Sequence, residues 1–389
     1  MRFNATPHLE HCRNIDELRK LAKKKIPLAF FDYIDSAAED GVTRDKNRQA
    51  FDDYSLVPRI LVDVDSVSLK SKLFNQELES PVILAPTALS RLFHHQGELA
   101  VSQAASKAGL IYTLSTMSSV SLEEVANAEG PRWFQIYCYK DRDITRDMIH
   151  RAKNSGYSAL CLTVDAHVAG NREHDQRNGL TIPPTPNLAT IINSLKHPAW
   201  LWHMATSPTV TMANIRGNEN AGIRQSLSVI QYVTEQLNPA LSWEDIKWMR
   251  DEWDGPFIIK GVLNASDARK SVDFGADGIV ISNHGGRQLD QTPSTIEVLP
   301  EIVSAVGEQC EIIIDSGFRR GTDIIKALSL GAKACMVGRP YVYGLAAGGQ
   351  PGVEKALTIL QSEVRRNLQL LGCRSIRDLN RAFIRRRLQ

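Results

Sequence analysis

With 389 residues of which 43% are hydrophobic, the chain can build one large α/β barrel or two medium domains around a well-buried core. Its formal net charge of +2 is too mild for a nucleic-acid surface, and no basic tract is interleaved with aromatic residues as single-strand binders require. Six cysteines, scattered and without a C-x-x-C pair, argue against a zinc site or a disulfide framework.

Met1 to Glu10 lacks the apolar stretch of a secretory signal, and no apolar run is long enough to span a bilayer. A cytoplasmic protein is expected. Residues 1–75 read as a helical lead-in that caps one end of the main body, with amphipathic helices predicted at Ile15 to Lys24 and Ala29 to Ala38. Short apolar runs come next: Pro81 to Ala85, Leu110 to Leu114, Trp133 to Tyr137, Ala159 to Val164, Phe257 to Gly261, Gly278 to Ser282, Ile312 to Asp315 and Ala334 to Gly338. Their continuous hydrophobicity predicts strands covered on both faces, and helix-like stretches such as Gly97 to Ala108, Ala265 to Phe274 and Gly321 to Leu330 supply the cover. The pattern predicts an α/β protein, a closed (β/α)8 TIM barrel, with barrel segments at 76–174 and 241–372 and a tail at 373–389. A doubly wound sheet fits less well, because no strand is followed by G-x-G-x-x-G.

Between Val164 and Phe257 the chain is too long for one βα unit, so residues 175–240 are an insertion after the fourth strand. Its middle, Ile191 to Met204, holds two tryptophans and several aliphatic residues beside Lys196 and His197. Such a segment suits either a membrane interface, touched through 190–205, or packing on the barrel or a neighbouring subunit. The basic end, Arg385 to Arg387, reads as a solvated terminus rather than as a contact for anionic lipid.

In a barrel, residues just past each strand converge on one mouth. Here they are Gln135 and Tyr137, Thr163 and Asp165, Lys260, His284 and Arg287, Asp315 and Arg319, and Gly338 and Arg339. Polar and ionisable groups at so many strand ends predict an active site. Arg172, Lys260, Arg287, Arg319 and Arg339 together suit an anionic substrate, a phosphorylated cofactor or both. Gly317, Arg319, Gly338 and Arg339 follow the last two strands, where such barrels bind phosphate through backbone N–H groups. Within Ser282-Asn283-His284-Gly285-Gly286-Arg287-Gln288-Leu289-Asp290, an imidazole stands three residues from a guanidinium, which reads as a base beside an anion clamp. Asp165 is placed to hold the His284 ring and steady its imidazolium. His94, His95, His167 and His174 also lie in loops near strand ends. No residues have metal-ligand spacing, and a G-x-S-x-G elbow is missing.

The chain resembles the FMN-dependent L-2-hydroxy-acid oxidising enzymes, a family that includes glycolate oxidases, bacterial L-lactate dehydrogenases and mandelate dehydrogenases. The resemblance rests on Phe31-Asp32-Tyr33, Ala38-Glu39-Asp40, Ala85-Pro86-Thr87-Ala88, Phe134-Gln135-Ile136-Tyr137, Leu162-Thr163-Val164-Asp165, Ile259-Lys260-Gly261, the nonapeptide at Ser282, Asp315-Ser316-Gly317-Phe318-Arg319-Arg320-Gly321 and Gly338-Arg339-Pro340. It implies an FMN-binding barrel. By that likeness Lys260 steadies negative charge on the reduced flavin, while Ala85, Pro86, Thr87, Ala88, Ser115, Gln135, Thr163 and Ser282 contact its ring. Asp315, Gly317, Arg319, Gly338 and Arg339 hold the ribityl chain and phosphate. His284 is the base, taking either the hydroxyl or the C2 proton with Asp165 assisting. Arg172 and Arg287 clamp the substrate carboxylate, and Tyr33 and Tyr137 bond the carboxylate and hydroxyl.

Oxidation of a 2-hydroxy acid needs a base, an electron acceptor and a carboxylate anchor, and the implied set supplies all three. Met117 stands where similar glycolate oxidases carry tryptophan, which counts against a preference for glycolate. His197-Pro198-Ala199-Trp200, Leu241 to Asp245 and Glu252 to Pro256 are most similar to bacterial lactate dehydrogenases. The expectation is therefore L-lactate oxidation with electrons passed to a quinone or a cytochrome, in a homo-oligomer, a tetramer by family likeness, seated peripherally on the inner face of the cell membrane. The alternatives are a soluble oxidase that reduces O2 to H2O2, a dehydrogenase of mandelate or longer 2-hydroxy acids, and a silent FMN-binding protein. No fused haem domain is expected.

Overall fold

The computed structural model describes residues 8–180, 187–215 and 235–387; residues 181–186 and 216–234 of the predicted insertion lie outside them. Eight parallel strands close into a barrel: β1 (Val82–Leu84), β2 (Ile111–Ser115), β3 (Arg132–Ile136), β4 (Ala159–Thr163), β5 (Phe257–Val262), β6 (Gly278–Ile281), β7 (Glu311–Ile314) and β8 (Ala334–Val337), with β8 pairing back onto β1. The predicted strands match these to within one or two residues. Side chains alternate across a strand, so each run has an inner and an outer row. Ile83, Ile111, Trp133, Cys161, Ile258, Val280, Ile313 and Met336 fill the barrel interior. Their neighbours Val82, Tyr112, Phe134, Leu160, Ile259, Ile279, Ile312 and Val337 face the surrounding helices. Two residues beyond the inner row stand Ala85, Gln135, Thr163, Lys260, Ser282, Asp315 and Gly338. The period of two therefore lifts these residues to the mouth.

The opposite end is plugged by strands rather than by helices. A hairpin, Ser71–Leu73 with Gln76–Leu78, inserts Leu73 and Leu78 into the interior cluster, and Phe74 packs 5.7 Å from the Trp133 ring. The lead-in helices go elsewhere. Ile15–Lys25 packs along the last helix, Arg339–Leu371, and Leu28–Asp35 lies at the mouth. This second helix stops at Asp35 rather than Ala38, because Ser36 turns extended (φ −71°, ψ 172°) and arginines from the barrel take its carbonyls. Arg287 donates to Tyr33 O at 2.7 Å and Arg339 to Ile34 O and Ser36 O at 2.9 and 2.7 Å. The basic end is also no free terminus, since Ile384–Arg386 pairs antiparallel with Tyr54–Leu56.

Two helices of the insertion, Leu188–Leu195 and Pro198–Thr206, bend over the mouth. Asn193 accepts from Leu28 N at 2.7 Å. Trp200 donates to Leu92 O at 2.9 Å and packs 4.8 Å from the Phe30 ring. His203 stacks on His95 at 4.2 Å, and His95 on His94 at 4.4 Å. Much of the pair's exposed surface is apolar: Leu188 is 73% and Trp202 69% exposed, and Ile192 joins them, while Ile191 and Leu195 are exposed where they border the cavity. Among the described residues no helix is long and apolar enough to cross a membrane.

Burial, with His95 and His203 beside it, pushes the His94 imidazole down from 6.5 to about 4, so His94 stands in the stack as a neutral ring near neutral pH. A histidine that resists protonation when folded destabilises its contact as pH falls below the unfolded value, with the loss complete below the folded one. Hydrogen exchange in Pro198–Thr206, corrected for intrinsic rates, is expected to accelerate as pH falls from 6.5 towards about 4. The Leu28–Asp35 helix, which lacks this contact, should change less.

Candidate active site

The strand ends surround a cavity of about 790 Å³, within the usual range for a cofactor site. At its wall, His284 Nδ1 lies 3.0 Å from Asp165 Oδ1, which leaves Nε2 free to meet a ligand. Two backbone devices make this pair. A bulge in β5 between Lys260 and Val262 carries Gly261 at φ +114°, where a Cβ would come within 2.7 Å of Asp165 Cβ. His284, Gly285 and Gly286 are all left-handed, at φ 57°, 67° and 75°, a conformation costly for a branched or bulky residue and concentrated at functional sites. Ser282 Oγ accepts from His284 N at 3.0 Å, and Ser316 Oγ from Gly285 N at 3.1 Å. Burial raises the Asp165 carboxyl, but His284 and then Lys260 pull it back below the usual carboxylate range.

Lys260, 3% exposed, is a buried cation with a matched partner. Its Nζ lies 3.0 Å from Asp315 Oδ2 and donates to Ser282 Oγ at 2.8 Å, and Ser282 donates onward to Asp315 at 2.9 Å. Burial works against the ammonium, yet Asp315 and Asp165 hold its pKa above the ordinary lysine value. Across the cavity, Arg172 and Arg287 bracket the Tyr33 ring, their guanidinium carbons 5.6 and 5.0 Å from its centroid. Burial and then Arg172 push the Arg287 pKa down, the signature of crowded positive charge that a bound anion relieves. Tyr137 is a half-buried phenol whose pKa is pushed upward by desolvation, and so stays a neutral hydroxyl.

At the far end, the helix Arg339–Leu371 opens on the cavity with Gly338 as its N-cap and no side-chain cap. Pro340 has no N–H, and Tyr341 and Val342 donate to Gly338 O at 3.2 Å, so the Arg339 N–H and the helix dipole are what suit a phosphate. The Arg339 guanidinium is committed to Ile34 O, Gly285 O and Ser36 O, so this residue meets a ligand through backbone N–H and through charge. Burial lowers its pKa to about 9. Gly317, at φ +86°, lets the rim approach the lead-in so closely that a Cβ would lie 2.1 Å from Asn47 O.

Of the residues predicted from sequence, Tyr33, Ala85, Pro86, Thr87, Ala88, Ser115, Gln135, Tyr137, Thr163, Arg172, Lys260, His284, Arg287, Asp315, Gly317, Arg319, Gly338 and Arg339 all line this cavity. Ser282 and Asp165 do not line it. Ser282, predicted to touch the flavin, is sealed behind Lys260 and Asp315, and Asp165 stands behind His284. The sequence missed the wall given by the insertion, chiefly Trp200, Leu201, Met204 and Met212, as well as Asp175. It also missed Asn214, which pins the insertion to the turn after β2 by donating to Thr116 O at 3.1 Å and Ser118 Oγ at 2.9 Å. The apolar run Ile191 to Met204, read as able to pack on the barrel, and the position of Asp175 three residues after Arg172 were the available signals.

Gln135 Nε2 and Thr163 Oγ1 are buried without hydrogen-bond partners, which is costly unless a ligand satisfies them. With the Lys260 ammonium beside them and a phosphate cradle opposite, the wall fits a planar heteroaromatic ring with polar edges and a phosphorylated tail. The model of the FMN-dependent dehydrogenase family matches residues 22–386. The chain belongs to that family. It is 42% identical over 376 residues to an L-lactate oxidase of Nostoc sp., covering 95% of this chain and 97% of the relative. It is 40% identical over 375 residues to glycolate oxidase 3 of Arabidopsis thaliana, covering 96% and 95%. Among solved structures, the monotopic membrane protein (S)-mandelate dehydrogenase superposes with a TM-score of 0.92 at 36% identity, over 97% of this chain and 100% of that one. The cofactor of this barrel is FMN, and its reaction is oxidation of a 2-hydroxy acid.

Replacing Lys260 by Met would strand the Asp315 carboxylate in the barrel with only hydroxyl partners. Breaking a buried ion pair from one side costs about 3–5 kcal/mol. The variant is expected to show that loss in urea unfolding and to purify with little flavin colour.

Proposed function

We propose that this chain oxidises an L-2-hydroxy acid, with L-lactate to pyruvate as the leading reaction, and passes the electrons to a membrane quinone or a cytochrome. The observation that carries the reading is a single cavity shared by the His284–Asp165 pair and the Arg172–Tyr33–Arg287 bracket. A substrate held by its carboxylate between the two guanidiniums brings its C2 group towards the imidazole. Tyr33 and Tyr137 complete the grip through their hydroxyls. His284 Nε2 takes the proton, and Asp165 fixes the ring and steadies the imidazolium, which favours the charged form only while the carboxylate is ionised.

FMN, when bound, supplies the two-electron acceptor for the oxidation. In the proposed arrangement, Ala85 to Ala88, Ser115, Gln135 and Thr163 hold its ring, with Lys260 placed to balance negative charge there. Asp315, Gly317, Arg319, Gly338 and Arg339 hold the ribityl and phosphate end. Ser282 acts one step back, through Lys260 and Asp315.

The lactate assignment draws on likeness to the lactate enzyme. A larger substrate such as mandelate is the second reading, favoured by Met117, Leu201 and Met204 on the cavity wall and by likeness to mandelate dehydrogenase. The quinone assignment, and a peripheral seat on a membrane, draw on the exposed apolar surface of Leu188–Leu195 and Pro198–Thr206 and on the monotopic character of that same structural relative. Interfacial helices bind through such apolar area.

Anaerobic mixing with L-lactate, glycolate and L-mandelate is the deciding experiment. Bleaching of the flavin spectrum by one of them, fastest with L-lactate, is expected, and no bleaching by any would end the proposal. In air, peroxide released at the rate of turnover would replace the quinone by O2. His284→Gln should keep its flavin and lose turnover by about 10²–10⁴-fold or more. In flotation with anionic liposomes the parent is expected to rise with the lipid, whereas Leu188→Asp with Trp202→Asp should stay at the bottom.

A further inference from the structure

Asp175 lines the cavity and has no part in the scheme above. It sits on the short helix Glu173–Arg177 and is 5% exposed. Its Oδ2 lies 3.5 Å from Arg172 Nε, and its buried Oδ1 has no hydrogen-bond partner. A charge-assisted hydrogen bond from a guanidinium is normally about 2.7–2.9 Å long, so this pair is in contact without being locked. The charged groups facing Asp175 are Arg172, Arg287 and His174, which draw its carboxyl down, and Asp32, which raises it; burial outweighs them and leaves the carboxyl above its usual value.

Two guanidiniums around one tyrosine ring repel each other, and the cavity offers few other anions to relieve them. We propose that Asp175 is the resident counter-anion of the carboxylate clamp, holding Arg172 in place and offsetting the paired guanidiniums until the substrate carboxylate takes Arg172 from it. The inference rests on the clamp read into Arg172 and Arg287 above. Asp175 is a positioning residue: it touches an arginine that touches the substrate. Its charge opposes the incoming carboxylate and equally opposes the 2-oxo acid that must leave. It thus weakens binding while keeping Arg172 oriented. The unpartnered Oδ1 fits this role, because a carboxylate saturated with hydrogen bonds would hold the arginine too firmly to yield it.

Asp175→Asn removes the charge and keeps the shape. Oxalate, an unreactive dicarboxylate, is titrated into the flavin-loaded protein and followed by the flavin spectrum. Steady-state kinetics use whichever 2-hydroxy acid bleaches the wild type. Loss of one like charge several ångströms from the ligand is expected to tighten oxalate about tenfold. KM should fall in parallel and kcat should also fall, because Arg172 is less well held. Asp175→Glu, which restores the charge, should return both constants towards wild type. A residue that merely packs the loop would raise KM, and would not separate the two substitutions. Unchanged or weaker oxalate binding in Asp175→Asn, or identical behaviour of the two variants, overturns the inference. Should Asp175→Asn shed its flavin, Asp175→Ser gives the same reading. Wild-type protein that ignores oxalate would instead sink the clamp itself, and the counter-anion with it.

Discussion

Closure of eight parallel strands into one barrel imposes a single polarity, so every strand ends at the same rim. Combined with the alternation of side chains, this decides chemistry by register: in seven of the eight strands the residue two places beyond the inner-row side chain is delivered to the mouth. Polar groups there are tolerated only because they satisfy one another. Lys260, Ser282 and Asp315 form such a group, and Asp165 with His284 forms another. Each is a charge brought into a dry place with its partner already attached, which lets a base and a cation face a substrate without dissolving the core.

The mouth is also where the lead-in becomes part of the barrel. Arg287 and Arg339, both expected from sequence to hold ligands, donate to the carbonyls that end the Leu28–Asp35 helix. The same two residues thus terminate a helix, tie it to the rim and set the positive potential of the cavity. A further layer stands behind them, where Asp35 accepts from Arg19 at 2.6 Å and from Tyr343 at 2.6 Å. Burial opposes the ionised Asp35, and Arg19 and Tyr343 overcome it.

Much of this was legible in the sequence, for reasons that also explain what was not. The strands showed because each is a continuous apolar run ended by a polar residue, as Phe257 to Lys260 shows. The cavity residues at strand ends could be inferred from that, since strand order needs no side-chain geometry to bring them together. The hairpin at Ser71 to Leu78 did not show, because three-residue strands carry too little pattern to separate from a loop. Nor did the pairing of Ile384–Arg386, a three-residue strand in which two exposed arginines follow the one residue, Ile384, that packs on the core. Ser282 was given a cofactor contact by family likeness, and it lies fully buried behind Lys260 and Asp315. Asp175 and Asn214 escaped because their importance arises from what an irregular segment folds against, and such segments have no period to read.

The contrast between rim and insertion carries an evolutionary meaning. Gly317, Arg287 and Arg339 each answer to the fold as well as to the cavity, so change at those positions is punished twice. Trp200, Leu201 and Met204 sit on a pair of helices joined to the barrel by a few stacked rings and isolated hydrogen bonds. Drift can reshape that roof at small thermodynamic risk, and new appetites for substrate are free to arise there while the ancestral machinery below stays frozen.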